Sequence, residues 1–156
     1  MAKLIGYAVI AWLVVVVGIQ FIRPARTNPP TDPRRTLKAA MAVPPAVSSV
    51  LERSCRDCHS NDTVWPWYSN VAPMSWMVID HVKEGRRHFN YSDWSALERD
   101  KASKVLRGIC DETKKGEMPI GSYLLLHRDA RLSPGDIQTL CDWTATLHLS
   151  GERNEQ

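Results

Sequence analysis

The apolar positions of this chain follow two different patterns. Residues Leu4–Ile22 form one unbroken run of nineteen residues, without charge and with only Gln20 strongly polar. At about 1.5 Å per residue, a helix of that length covers ~28 Å, close to the hydrocarbon thickness of a bilayer. A cleaved signal peptide has a shorter apolar core and a small-x-small site just after it. Here the run ends in Gln-Phe-Ile-Arg-Pro-Ala-Arg. The expectation is an uncleaved single-span anchor over residues 1–26, with a cleaved signal and a buried core helix as alternatives.

Beyond it the apolar residues recur at spacings of three and four, the helical period. Val47, Val50, Leu51, Ser54, Cys55 and Cys58 form one stripe, predicting a helix over 46–58. Residues 60–73 read as a turn-rich aromatic loop. A second helix is predicted over Ser75–Phe89, frayed at Gly85. A third is predicted from Trp94 to about Thr113, N-capped by Ser92 or Asp93. The last starts at Ser133-Pro134-Gly135-Asp136, with a Ser cap, Pro at the first position and an acid three residues on. Period-two alternation is nearly absent, so the fold class is all-α. The segment 27–45 carries five of the ten prolines and reads as an extended, semi-rigid tether. The expected organisation is anchor 1–26, linker 27–45, domain 46–149 and tail 150–156.

Charge narrows the function. There are 20 basic and 17 acidic residues, and Lys3, Arg23 and Arg26 precede the first acid, so residues 27–156 hold 17 of each. A balanced domain lacks the cationic surplus that phosphate binding needs, and nucleic acid is not an expected partner. Positive charges on both sides of the span give a weak orientation signal, which alone would put the domain in the cytoplasm.

The chemistry lies in Cys55-Arg-Asp-Cys58-His59, a C-x-x-C-H haem-attachment signature. Two thiols one helical turn apart can reach the two vinyl groups of one porphyrin, and the next residue can bring its imidazole to the iron. Cys55 and Cys58 are thus the attachment residues and His59 the proximal ligand, with Arg56 and Asp57 unconstrained. A thioredoxin-like pair needs a βαβ context, and a zinc site needs more ligands at metal spacing. A plain disulfide would leave His59 unexplained. Cys110 and Cys141 fall on the apolar faces of the third and last helices; they can form a disulfide or pack as two buried thiols.

The elements W-P-W-Y-S at Trp65–Ser69, H-V-x-x-G-R at His81–Arg86, GEMP at Gly116–Pro119, and the later YLLLH and ARLS resemble the haem-binding domain family of bacterial envelope proteins. The resemblance covers most of residues 46–148. It implies a small monohaem c-type module, cytochrome c-like, behind a single N-terminal membrane segment, and says little about reaction. Haem c is attached outside the cytoplasmic membrane, so the domain is expected in the periplasm, against the charge signal. Trp65, Trp67 and Tyr68 then read as aromatic walls near the porphyrin, or as general packing. His81, His88, His127 and His148 each read first as structural, with His81 also a candidate for the haem pocket. Met118 is the expected sixth ligand. Its Met-Pro pair after a Lys- and Gly-rich turn is similar to the distal loop of small cytochromes c, with His81 and His127 as alternatives and Met74 and Met77 less suited. The expected function is single-electron transfer between envelope redox partners. A haem-based sensor or peroxidase-like enzyme with an open sixth position is the alternative, and a structural subunit of a larger oxidoreductase is a third possibility.

Overall fold

The computed structural model describes residues 1–153, with side chains as far as Leu147. Among the described residues the regular elements are helices only. The apolar run forms α1, Ala2–Ile19, which buries none of its residues against the rest of the chain. Its 18 residues are long and apolar enough to cross a bilayer, about 27 Å at the helical rise.

Segment 27–45 is not the extended tether that its prolines suggest. Asp32 caps a 3₁₀ turn over Pro33–Arg35, and Thr36 caps the short helix α2, Leu37–Ala40. Leu37 is 3% exposed and belongs to the core. The prolines cluster at the two ends, and the stretch between them is free to make turns and contribute an apolar anchor.

The helix expected over 46–58 is divided. Helix α3 runs Pro45–Ser54 and α4 runs Arg56–His59, with Cys55 between them at φ −128°, ψ −31°. The Cys55 carbonyl accepts from the amides of both Cys58 and His59, so the Cys55–His59 segment forms its own turn. Helix α5, Met74–His88, passes through Gly85 without fraying. The helix expected from Trp94 is also divided: Asn90 caps a 3₁₀ segment Tyr91–Ala96, and α6 runs Arg99–Lys115. The non-helical backbone of Asp93, φ −138° and ψ 47°, separates the two. Gly116 ends α6 in the left-handed conformation, φ 75°, which costs a glycine little. A short helix α7, Gly121–Leu124, leads toward α8, Pro134–Arg153. The tail expected from residue 150 is therefore still helical to Arg153; residues 154–156 and the His148 side chain lie outside the described residues.

The core gathers Val47, Val50 and Leu51 of α3, Leu106 and Ile109 of α6, and Leu140 and Trp143 of α8, closed by Leu37 and Trp94. The cap read at Ser133 is present. The Ser133 hydroxyl accepts from the Asp136 amide while the Asp136 carboxylate accepts from the Ser133 amide and from Arg53 of α3. A disulfide joins Cys110 of α6 to Cys141 of α8, at a Cα separation of 4.7 Å. It closes 31 residues of chain, a loop worth about 3–4 kcal/mol in the chain-entropy account. Replacing both cysteines with alanine should lower the unfolding free energy from urea titration by that much. Thiol counting of the unfolded, unreduced wild type should find neither sulfur reactive.

Candidate functional site

His59 is placed by contacts from three directions. Its side chain is 9% exposed, and its ring lies flat on Phe89, with centroids 4.1 Å apart and planes 9° apart. Nδ1 lies 3.0 Å from the Gly85 carbonyl oxygen and 3.3 Å from that of Phe89. Carbonyls only accept, so Nδ1 carries the proton and Nε2 is left with the lone pair a metal requires. Burial holds the imidazole pKa below its usual value, against the pull of those two carbonyls. The ring is therefore neutral at neutral pH. A ligating histidine anchored through its other nitrogen to a backbone carbonyl is the usual way proteins fix both ring orientation and tautomer.

The close approach of α5 to α4 makes those bonds possible. A Cβ built on Gly85 would fall 2.4 Å from the Cys58 carbonyl oxygen and 2.9 Å from its carbon. Any residue but glycine would force α4 away. Arg86 then secures the chain after His59: its guanidinium donates to the Ser60 carbonyl at 2.7 Å and to Thr63 Oγ1 at 2.8 Å. These contacts give the H-V-x-x-G-R element its physical meaning.

Cys55 and Cys58 are half-buried and unpaired. Burial pushes both thiols up to about 11, so both are protonated at neutral pH. The buried Tyr91 hydroxyl beside Cys55 has no oxygen or nitrogen partner among the described residues. No group of three or more His, Cys, Asp or Glu side chains suited to a metal ion occurs among the described residues.

Cys58 opens onto a shallow surface cleft with mostly apolar walls. Tyr68, Met77, His81, Val82, Tyr123 and His127 are among its walls. Asp57, which the attachment chemistry leaves unconstrained, is held by the fold: its carboxylate accepts from the Val64 amide and from the Tyr123 hydroxyl at 2.9 Å. Tyr123 stacks on His127 at 4.0 Å. His127 Nδ1 lies 3.1 Å from the Tyr123 carbonyl oxygen, and the Tyr68 hydroxyl is 3.4 Å from both ring nitrogens.

The other expected site residues divide between cleft and surface. Tyr68 lines the cleft, whereas the Trp65 indole donates to Asn28 and Trp67 is 77% exposed; neither tryptophan lines it. Met74, Met77, His81 and His127 do. His88 is exposed. Met118 is 39% exposed and does not line the cleft, although Ile120, two residues later in sequence, does. Sequence reasoning missed Phe89, Gly85 as a contact point, and the Asp57–Tyr123 pair. Only the Gly-Arg pair inside a helical stretch gave a signal, since a glycine there lowers helix stability unless something needs the space.

A family model described as the haem-binding domain matches residues 14–146. No curated protein and no solved structure matches the chain. The donor set fits the group that the family binds. Two unpaired thiols stand a turn apart, Cys58 on the wall of an apolar-walled cleft, and the residue after it is a buried neutral imidazole with its lone-pair nitrogen free of the backbone bonds. The chain belongs to the haem-binding domain family.

Proposed function

We propose that this chain is a membrane-anchored monohaem c-type cytochrome of the bacterial periplasm, carrying single electrons between redox proteins of the envelope. Cys55 and Cys58 hold the haem covalently, one group per chain, and His59 is its proximal ligand. The observation that carries this reading is the fixed tautomer of His59, held by the Gly85 carbonyl next to two unpaired thiols. When bound, the haem supplies a one-electron iron couple whose potential its axial ligands set. The polypeptide's part is to orient His59 through Gly85 and Phe89, keep water from one ring face, and anchor the cleft wall through Asp57 and Tyr123. We place the sixth ligand at Met118, on the loop between α6 and the cleft wall. Helix α1 is the anchor, and covalent haem attachment puts the domain on the outer side of the cytoplasmic membrane.

The polar cluster of Tyr68, Tyr123 and His127 on the cleft wall supports a second reading, a sensor or peroxidase-like site. Such groups can donate hydrogen bonds to a small ligand at an open sixth position.

The test is attachment, then occupancy of the sixth position. The haem should stay with the denatured chain through acid–acetone extraction, and Cys55→Ala with Cys58→Ala should release all of it. The reduced wild type should not change its spectrum under CO. Extraction of haem from the wild type would overturn the c-type assignment, and a CO-shifted spectrum would favour the second reading.

A further inference from the structure

The exit of α1 is stitched to the haem domain by side chains. The Gln20 amide donates to the Ala72 carbonyl at 3.1 Å and accepts from the Ala72 amide at 2.9 Å. The Trp76 indole donates to the Ile22 carbonyl at 2.8 Å. Arg26 donates to Ser69 Oγ at 3.2 Å, and Arg86 to the Thr27 carbonyl at 2.7 Å. Residues 20–27 thus run along the domain, with no slack between the apolar helix and the 69–76 stretch. A side-chain amide satisfying both polar groups of one residue, as Gln20 does for Ala72, resembles the pairing of a strand and fixes distance and direction together.

This fixes what lies at the level of the helix end. Phe21 and Ile22, 83% and 60% exposed, leave the helix directly beside Ala72. On the domain side of the same junction, Trp67 is 77% exposed, Val71 44% and Met74 37%. A largely exposed indole followed within seven residues by two partly exposed apolar side chains is unfavourable in water and well suited to the headgroup boundary, where tryptophan's apolar body and N–H donor are both accommodated. Arg23 and Arg26 follow on the same exit segment, where lipid phosphates lie.

We propose that the edge formed by Trp67, Val71 and Met74 docks onto the lipid surface, so that the haem domain lies on the bilayer rather than away from it. The inference rests on reading α1 as a membrane span, and the occupant follows from continuity with that span: the stretch that carries these side chains is hydrogen-bonded through Ser69, Ala72 and Trp76 to the residues just after α1. Met74 also lines the haem cleft, so the cleft wall and the lipid-facing edge are made by one stretch of chain.

Photocrosslinking of the full chain in its native membranes tests this. p-Benzoylphenylalanine is introduced singly in place of Leu13 in the span, Trp67, Val71, or exposed Lys101 on α6. The purified chain is then weighed after irradiation. Lipid-mass adducts are expected at Leu13, Trp67 and Val71, several-fold above Lys101. Adducts at Leu13 with none at Trp67 and Val71 overturn the docking while leaving the span intact. None at Leu13 overturns the span and the docking with it. A protein-sized adduct at Trp67, or equal lipid yields at Trp67 and Lys101, also overturns the lipid-facing edge.

Discussion

Replacing Gly85 with alanine should disable the site, although the same change in most helices stabilises. Alanine gains roughly 0.5–1 kcal/mol over glycine in a helix interior. At Gly85 the added carbon would lie 2.4 Å from the Cys58 carbonyl oxygen and 3.0 Å from the Cys58 Cβ. The nearest atoms are backbone, so no rotamer change relieves the clash, and α4 must move off α5. Overpacking of this kind costs typically 1–3 kcal/mol, occasionally more. Here it also breaks the bond from His59 Nδ1 to the Gly85 carbonyl, adding ~1 kcal/mol or more for a buried polar partner lost. The expected net loss is about 2–4 kcal/mol, with a fall in the fraction of chains carrying covalent haem. Gly108→Ala on α6 is the control, because nothing lies within 4 Å of its Cβ position. That variant should gain a few tenths to about 1 kcal/mol. Urea unfolding of both variants, with haem staining of the same preparations, would show opposite signs. Equal stabilisation in both would mean that α4 and α5 do not pack as described.

How much of this was legible in the chain depends on what each feature needs. The all-α class, the apolar first helix and the Ser133 cap follow from local periodicity and hydrogen-bonding chemistry, and all are present. The facing of Cys110 and Cys141 followed from two helical stripes, because their spacing put both on buried faces. The features that were missed are tertiary. A stripe that runs without interruption through Cys55 gives no sign of the break there, since the break belongs to the Cys55–His59 turn rather than to the hydrophobic face. The prolines around Thr31–Ala42 read as a tether because composition does not reveal that Leu37 finds a place in the core. Trp65 and Trp67 read as pocket walls because an aromatic loop beside a haem motif has that composition whichever way its side chains turn. Phe89 was legible only as a helix-face residue, and its stacking on His59 depends on how α5 ends.

Met118→Ala should change the spectrum and hardly change the fold. The side chain is 39% exposed on the loop after α6, and substitutions at such positions usually stay within about 0.5 kcal/mol. A large optical effect with unchanged stability would therefore isolate a ligand role from a packing role. The competing ligands are each constrained by their surroundings. His81 lines the cleft and lies one turn before Gly85 on α5, the helix whose carbonyl buttresses His59, so it would be positioned by the same element as the proximal ligand. His127 has Nδ1 beside the Tyr123 carbonyl oxygen, Tyr68 within 3.4 Å of both nitrogens, and its ring stacked on Tyr123. The Met118 thioether carries no such commitments. Among the described residues its loop is held through backbone, the Glu117 and Met118 amides donating to the Glu112 carbonyl at 3.0 and 3.3 Å. A soft sulfur ligand favours reduced iron and raises the potential. In the oxidised wild type a sulfur-to-iron charge-transfer band is therefore expected. Met118→Ala should remove it, allow CO to bind the reduced protein, and lower the midpoint potential by on the order of 0.1–0.3 V, a fraction of the ~0.8 V that axial ligation spans. An unchanged low-spin spectrum in Met118→Ala would overturn the assignment. His127→Ala and His81→Ala would then be compared, and the true ligand would be the one whose loss opens the iron to CO.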